Sequence, residues 1–424
     1  MASAQLSRTP SSASNRKTWT WSGWVKRSSL GGNQVLFEGL DGSFPEKLQF
    51  TSDDLLEYDH DIAGTDYTVN TIAAFRDLSA WYHIVWAKDT TQATETDRIK
   101  LWVNGTQISL SESQLGYPGQ NSDGAINKNV AHYIGANNGS EYFDGQMAHV
   151  NFVDGTALTP TSFGQSDANG VWIPKTSPSV TYGTNGYFLK FDNSANMGLD
   201  SGGGSNSYTT SGTILQTGDT PTNNSVVWDM NNRNSSTGVT NFARTATNSG
   251  NSWRTIQATM PMIGTTGKFY AEAKATSGTN FYFGVYDPRQ ARGDSQSQMD
   301  SNRLVYNYSG EVVKTLTGES TVTGLTAISA GNIIGIAVDK DNGVVKFYNN
   351  GSLIHTATNA NITNKDLIFG TQMYGNMTVD WNFGHGFFGT TAPTSAVTAN
   401  NGVWEYTPTT GHYALNTKSM KDNS

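Results

Sequence analysis

Apolar residues along this chain come in short alternating runs and seldom at helical spacing. AWYHIVWAKD (80–89), RIKLWVNGTQI (98–108), GKFYAEAKA (267–275), NFYFGVYD (280–287), NIIGIAVD (332–339) and VVKFYNNGSLI (344–354) all show the pattern. A period of two predicts strands with one face turned to a core. Between the runs stand Asn104-Gly105, Asp123-Gly124, Asn342-Gly343 and Asn350-Gly351. Such pairs tolerate positive φ and so predict tight hairpin turns. Many short strands with this punctuation give an all-β expectation of sandwiches or barrels.

Side chains alternate faces along a strand, so residue parity sorts the aromatic residues. Trp81, His83, Val85 and Ala87 share odd positions, as do Ile99, Leu101 and Val103, and this face reads as core. In TWTWSGWVKR (18–27), Trp19, Trp21 and Val25 are odd as well, with Gly23 a gap in the row. The even face carries Trp24 and Lys26, then Tyr82, Ile84, Trp86 and Lys88, then Lys100, Trp102 and Asn104. Its lysines suggest water, yet three tryptophans share it, at about 150–250 Å² each, more apolar surface than a monomer usually leaves bare. Two readings follow. A loop, a second domain or a neighbouring subunit covers the face, or a concave sheet uses Trp24, Tyr82, Trp86, Lys100, Trp102 and Asn104 to bind a sugar or polymer.

Composition suggests where the chain divides. Residues 192–225 are rich in Gly, Ser, Thr and Asn and offer little to bury, which reads as a linker between a first sandwich over 1–191 and a second over 226–390. Residues 391–424 have Trp404, Tyr406 and Tyr413 as their sizeable anchors and read as an arm that packs on another body. The length of 424 residues fits two or three domains, and zero cysteines exclude disulfides and thiolate zinc sites. The net charge of −8 argues against nucleic acid as a partner, although residues 1–37 hold five basic residues and no acid. That start has a transit-peptide composition, but tryptophans at strand spacing fit a strand better. No stretch approaches the ~20 apolar residues of a membrane span, so no membrane insertion is expected.

Two family resemblances rest on these same runs. Residues 18–191 resemble a laminin-G-like, concanavalin A-type domain through TWTWSGWVKR, WYHIVWAKD, RIKLWVNGTQI and YIGANNGSEYFDGQMAHVNFVDGTALTP. The resemblance implies a jelly-roll sandwich of a kind that binds glycans or protein partners. Some members hold calcium through loop acids, but no such motif matches here, so neither metal nor cofactor is expected. Residues 267–388 resemble a SPRY domain through GKFYAEAKA, NFYFGVYD, GNIIGIAVDKDNGVVKFYNNGSLI and LIFGTQMYGNMTVDWNFGHGFF, a sandwich whose loops choose a partner. The fold class implied is two concanavalin A-like jelly-roll β-sandwiches. The pairing of the modules, with QLSRTPSSASNRKTWTWSGWVKR at the start and GHYALNTKSM near the end, is similar to virion proteins of marine tailed bacteriophages.

Several short matches bear on catalysis. LLEYDHD places Glu57, Asp59 and Asp61 on one face of a strand, like the E-x-D-x-E signature of concanavalin-type glucanases. A retaining glycosidase needs two carboxyls about 5–5.5 Å apart, which alternate strand residues can supply. Here the third acid is Asp, one methylene short, and the bland reading is a solvated acidic edge. GTTGKF (264–269) lacks the glycine spacing of a phosphate loop, and the seven histidines form no H-E-x-x-H set. Arg-Gly-Asp at 292–294 reads as a chance tripeptide, and the Asn-x-Ser/Thr sites follow from an Asn-rich composition. The expectation is a virion surface protein that binds without catalysis, partnered by host-surface polysaccharide or by other virion structural proteins, and assembled as a homo-oligomer. Its alternatives are a decoration protein and a glycan-hydrolysing spike.

Overall fold

The computed structural model describes residues 3–230, 233, 236–289 and 302–422. The Arg-Gly-Asp tripeptide at 292–294 lies outside them. Its regular secondary structure is nearly all strand, and the chain divides into two compact units, Met1–Gln216 and Thr217–Ser424.

The first unit begins with β1 (Gln5–Arg8), β2 (Thr18–Arg27), β3 (Gln34–Asp41), β4 (Phe44–Phe50), β5 (Leu55–Asp61), β6 (Asp66–Ala74), β7 (Tyr82–Asp89) and β8 (Ile99–Val103). It continues with β9 (Thr106–Ile108), β10 (Leu110–Gln114), β11 (Ala131–Ile134), β12 (Gly145–Asp154), β13 (Gly164–Ser166), β14 (Trp172–Pro174), β15 (Tyr187–Leu189) and β16 (Thr209–Ser211). One sheet runs β10-β6-β5-β4-β3-β11-β1-β16 and the other β15-β12-β2-β7-β8-β9, with β13-β14 as a separate hairpin. Trp19, Trp21, Phe37, Phe50, Tyr58, Trp86 and Phe152 fill the space between the sheets. Gly23 is the gap its row suggested, because a Cβ there would lie 2.5 Å from the ring of Trp21.

Strand register corrects the parity reading. Trp21 pairs with Trp86, and Trp86 with Leu101, so the core face takes odd residues from β2 and β8 but even residues from β7. Tyr82, Ile84 and Trp86 therefore face the core, while His83, Val85 and Ala87 lie on the other face with Trp24 and Trp102. Alternation holds within each strand, but loop length and pairing decide how one strand's parity maps onto the next.

An ion pair ties the sheets together through the core. Lys88 of β7 donates to Glu46 of β4 at 2.6 Å, and both side chains are fully buried. The Tyr58 hydroxyl donates to the same carboxyl at 2.8 Å and the Ile126 amide at 2.7 Å. Burial pushes the Glu46 carboxyl up, but Lys88 and these donors outweigh it and hold it below the usual carboxylate value. Gly124 is required for space, since a Cβ there would lie 1.9 Å from the Glu46 carboxyl and 2.5 Å from Lys88 Nζ. Asp123-Gly124 is thus not the positive-φ turn its sequence suggests, because neither residue has positive φ, whereas Asn104-Gly105 and Asn350-Gly351 have it at both positions.

In the second unit, strands Thr237–Thr240, Thr245–Asn248, Met377–Asn382, Lys268–Ser277, Ile333–Asp339, Val344–Asn349 and Ser352–Thr358 lie side by side in that order. The facing sheet runs Trp253–Gln257, Ile368–Tyr374, Phe281–Tyr286, Arg303–Asn307 and Val312–Val313. Trp228, Phe283, Phe369, Trp381 and Phe383 form the aromatic centre of their core.

Two expectations about connecting segments are corrected. Residues 192–216 are not a free linker: β16 pairs with β1, and Tyr208 is buried edge-on against Tyr187 at 4.9 Å. Asn206 donates to the carbonyls of Thr184 and Gly186, and Asp200 accepts from the Phe188 amide, so polar side chains anchor a segment with little apolar content. The described part of the segment 391–424 packs on its own unit. Trp404 is fully buried against Tyr270, and Tyr413–Ala414 adds a short parallel strand to Phe269–Tyr270. The Glu272 carboxyl accepts the amides of Glu405 and Tyr406, each at 2.9 Å, and burial raises it to about 7.

Replacing Lys88 leaves the Glu46 carboxylate buried without its countercharge. Lys88→Met is expected to cost the first unit about 3–5 kcal/mol in urea unfolding. Adding Glu46→Gln should recover part of that loss by removing the charge and keeping an acceptor for Ile126. A loss for Lys88→Met within the ~1 kcal/mol of a surface pair would contradict the role assigned to it.

Candidate functional site

The residues singled out for display turn out to be packed. Trp24, Trp86 and Trp102 are 3%, 1% and 9% exposed, and Tyr82 is buried with its hydroxyl accepting the Asp77 amide. Trp86 belongs to the main core, whereas Trp102, Val85 and Ala87, with Val153 of β12, are covered by Leu158, Phe163, Val180 and Tyr182. The cover is thus the chain's own segment after β12. Trp24 stacks on His83 at 4.8 Å, and the Trp172 indole donates to His83 Nδ1 at 2.9 Å. That leaves the His83 proton on Nε2, which donates to Ser22 Oγ at 2.9 Å. Lys100 pairs with Asp97 at 3.0 Å, and the Asn104 side chain accepts the His83 amide in the hairpin turn. The six residues do not converge on one open surface.

Glu57, Asp59 and Asp61 do share one face of β5, with Leu56, Tyr58 and His60 buried between them. Each acid has its own local engagement. Glu57 accepts from Gln49, Asp59 accepts from Thr68 at 3.1 Å and lies 3.6 Å from Lys47 Nζ, and Asp61 accepts the Gly64 amide at 2.6 Å. Burial raises both Glu57 and Asp59. Among the described residues, no group of three or more His, Asp or Glu could hold a metal ion, and no helix is long and apolar enough to cross a membrane.

The open site lies at one end of the first sandwich. A cavity of about 430 Å³ is lined by Arg16 before β2, Asp41 and Phe44 at the β3–β4 turn, His60 and Asp61 at the end of β5, and the Asp123–Gly124 loop. That volume falls in the range of small-ligand sites, about 300–1,000 Å³. Arg16 Nε donates to the Gly124 carbonyl at 2.6 Å, and its guanidinium lies 3.6 Å from the Asp123 carboxylate. Asp41 is ion-paired with Lys128. His60 is almost fully buried, and its Nδ1 has no hydrogen-bond partner. Burial lowers the His60 ring to about 4, so it is neutral at physiological pH. Behind the cavity, Gly124 rests directly on the Glu46–Lys88 pair. Chemically, the lining combines one aromatic residue, a histidine and charged groups of both signs.

Sequence reasoning had flagged only Asp61 among these side chains, and for another reason. Arg16, Asp41, Phe44, His60 and Asp123 come from four separate segments, and no spacing rule links them. The one available signal was Asp123-Gly124, which was legible as a glycine but not as a close approach.

Residues 2–162 match the family described as the concanavalin A-like lectin/glucanases superfamily, and residues 268–386 match the SPRY domain. The chain is similar to the crystal structure of the SPRY domain of human HERC1, with 19% identity over 36% of this chain and 96% of that one, at a TM-score of 0.30. It is similar also to the TRIM65 PSpry domain, with 16% identity over 37% and 91% of the two chains, at a TM-score of 0.30. Among curated proteins, nothing matches.

Burial lowers His83 to about 3 and His60 and His132 to about 4, against an ordinary value of 6.5. A ring held neutral this way contributes stability above pH 6.5 that is lost as pH falls towards 4, at most about 1.4 kcal/mol per unit for each histidine. Glu38, raised to about 7 by burial, acts in the opposite sense, so the net loss is smaller than the sum for three rings. The three rings should keep neutral NMR shifts at pH 5, and titration near 6.5 would contradict their packing.

Proposed function

We propose that this chain, a concanavalin A-like domain followed by a SPRY domain, is a bacteriophage virion surface protein that binds a host-surface glycan through the end cavity of its first unit. The cavity carries the reading. It is of ligand size, and its lining includes an aromatic residue, Phe44, with Arg16 as a donor and Asp61 as an acceptor for hydroxyl groups. Both modules are of binding type, which suits adhesion by many weak contacts on an appendage that presents several copies. Binding without catalysis is the reading we favour, with each acid of β5 engaged by a different neighbour. The decoration reading rested on the tryptophan face and the C-terminal segment, and each is packed within its own unit.

The test is retention on whole bacterial cells and extracted surface polysaccharide, comparing the chain with an Arg16→Ala/Phe44→Ala variant and assaying reducing sugar in the same samples. Wild-type binding should fall roughly tenfold or more in the variant, as for loss of central contacts, with no sugar released. Equal binding by both proteins would remove the cavity from the account, and sugar release would overturn the non-catalytic reading.

A further inference from the structure

Seven Asn-Gly pairs stand in the chain, beginning at residues 104, 138, 169, 185, 342, 350 and 401. Glycine has no Cβ to shield its amide nitrogen, so each pair is open to attack of that nitrogen on the asparagine side chain. The fold treats the seven unequally. Asn104 and Asn350 each turn their side-chain oxygen onto a strand amide, that of His83 at 2.8 Å and that of Ile333 at 2.9 Å. Asn185 is buried and donates to the Ser12 carbonyl at 3.0 Å, while Asn342 donates to the Asp339 carboxylate at 2.9 Å and Asn401 to the Ser419 hydroxyl at 3.1 Å. Asn138 and Asn169 are exposed, and neither side chain has a hydrogen-bond partner among the described residues. These two differ at the attacking nitrogen. The Gly170 amide closes its turn on the Asp167 carbonyl at 3.0 Å, whereas the Gly139 amide donates at 3.0 Å to the Gln5 side chain in a contact open to water.

We infer that Asn138 is a site of spontaneous deamidation in the folded protein and the first of the seven pairs to react. The Gly139 nitrogen loses its proton to solvent base and bonds to Asn138 Cγ, the Cγ–Nδ2 bond breaks, and the nitrogen leaves as ammonia. Water then opens the cyclic imide at either carbonyl, giving aspartate or isoaspartate at 138. Both products place a negative charge three residues from Glu141, whose carboxylate accepts from Asn137 at 2.9 Å and lies 3.6 Å from Lys47 Nζ. Isoaspartate also lengthens the main chain of a two-residue turn. Asn138 and Gly139 have φ of 39° and 88°, and Asn137 and Ser140 close the turn with two bonds of 2.8 Å, so an added methylene disturbs that pairing.

Peptide mapping by mass spectrometry tests this, with the full chain held in mildly alkaline buffer, either folded or unfolded in guanidinium chloride. Unfolded, the seven pairs should react at similar rates. Folded, Asn138 should convert first, Asn169 about two- to tenfold more slowly, the scale of one turn hydrogen bond, and the five engaged asparagines last. Gln5→Ala frees the Gly139 amide and should speed conversion of Asn138 by about two- to tenfold, while the other six rates stay as they are. Gln5→Glu keeps an acceptor and should return the slow rate, and thermal unfolding confirms that both variants are folded. Survival of Asn138 for as long as Asn104 and Asn350 in the folded chain, or earlier conversion of any engaged asparagine, would overturn the assignment. A rate at Asn138 that ignores Gln5→Ala would overturn the part given to the Gly139 amide.

Discussion

The buried contact between Lys88 and Glu46 organises the first unit. It joins the two sheets in the buried interior behind the end cavity, where an uncompensated carboxylate would be costly. The same carboxyl accepts the Ile126 amide, which fixes the loop that forms one wall of the end cavity. Only glycine fits at position 124, because the loop backbone lies directly on the ion pair. A core charge pair therefore positions a surface site, and the cavity inherits the rigidity of the sandwich beneath it.

Both units cover an aromatic outer sheet face with chain that follows it in sequence. In the first, the segment after β12 closes over Val85, Ala87 and Trp102, held by Trp172 on His83 and by Thr20, whose hydroxyl donates to the Thr156 carbonyl and accepts the Leu158 amide. In the second, Trp404 and Ala414 pack over Tyr270 and Ala337, held by the Glu272 carboxyl. A sheet buried on both faces can be rich in large apolar residues on both, and the surplus of tryptophan in β2, β7 and β8 follows from that.

The all-β class and the two modules were legible because period-two runs and turn dipeptides are local signals. Asn104-Gly105 and Asn350-Gly351 took the positive φ their chemistry favours. The orientation of β7 was not legible, since its register against β2 depends on pairing that no single strand encodes. Residues 192–216 and 391–424 were misread for a related reason: composition counts apolar mass, whereas Asn206, Asp200 and Glu272 anchor those segments through backbone groups. The end cavity was the least legible feature, because Arg16, Phe44, His60 and Asp123 meet only after the sheets have formed.

The central claim is that the end cavity of the first sandwich is where ligand binds. Hydrogen exchange of backbone amides, with and without extracted surface polysaccharide, tests it without any substitution. Protection should rise in the turns at 41–44 and 61–64 and in the loop at 123–126. Protection confined to other segments of a chain that demonstrably binds would contradict it.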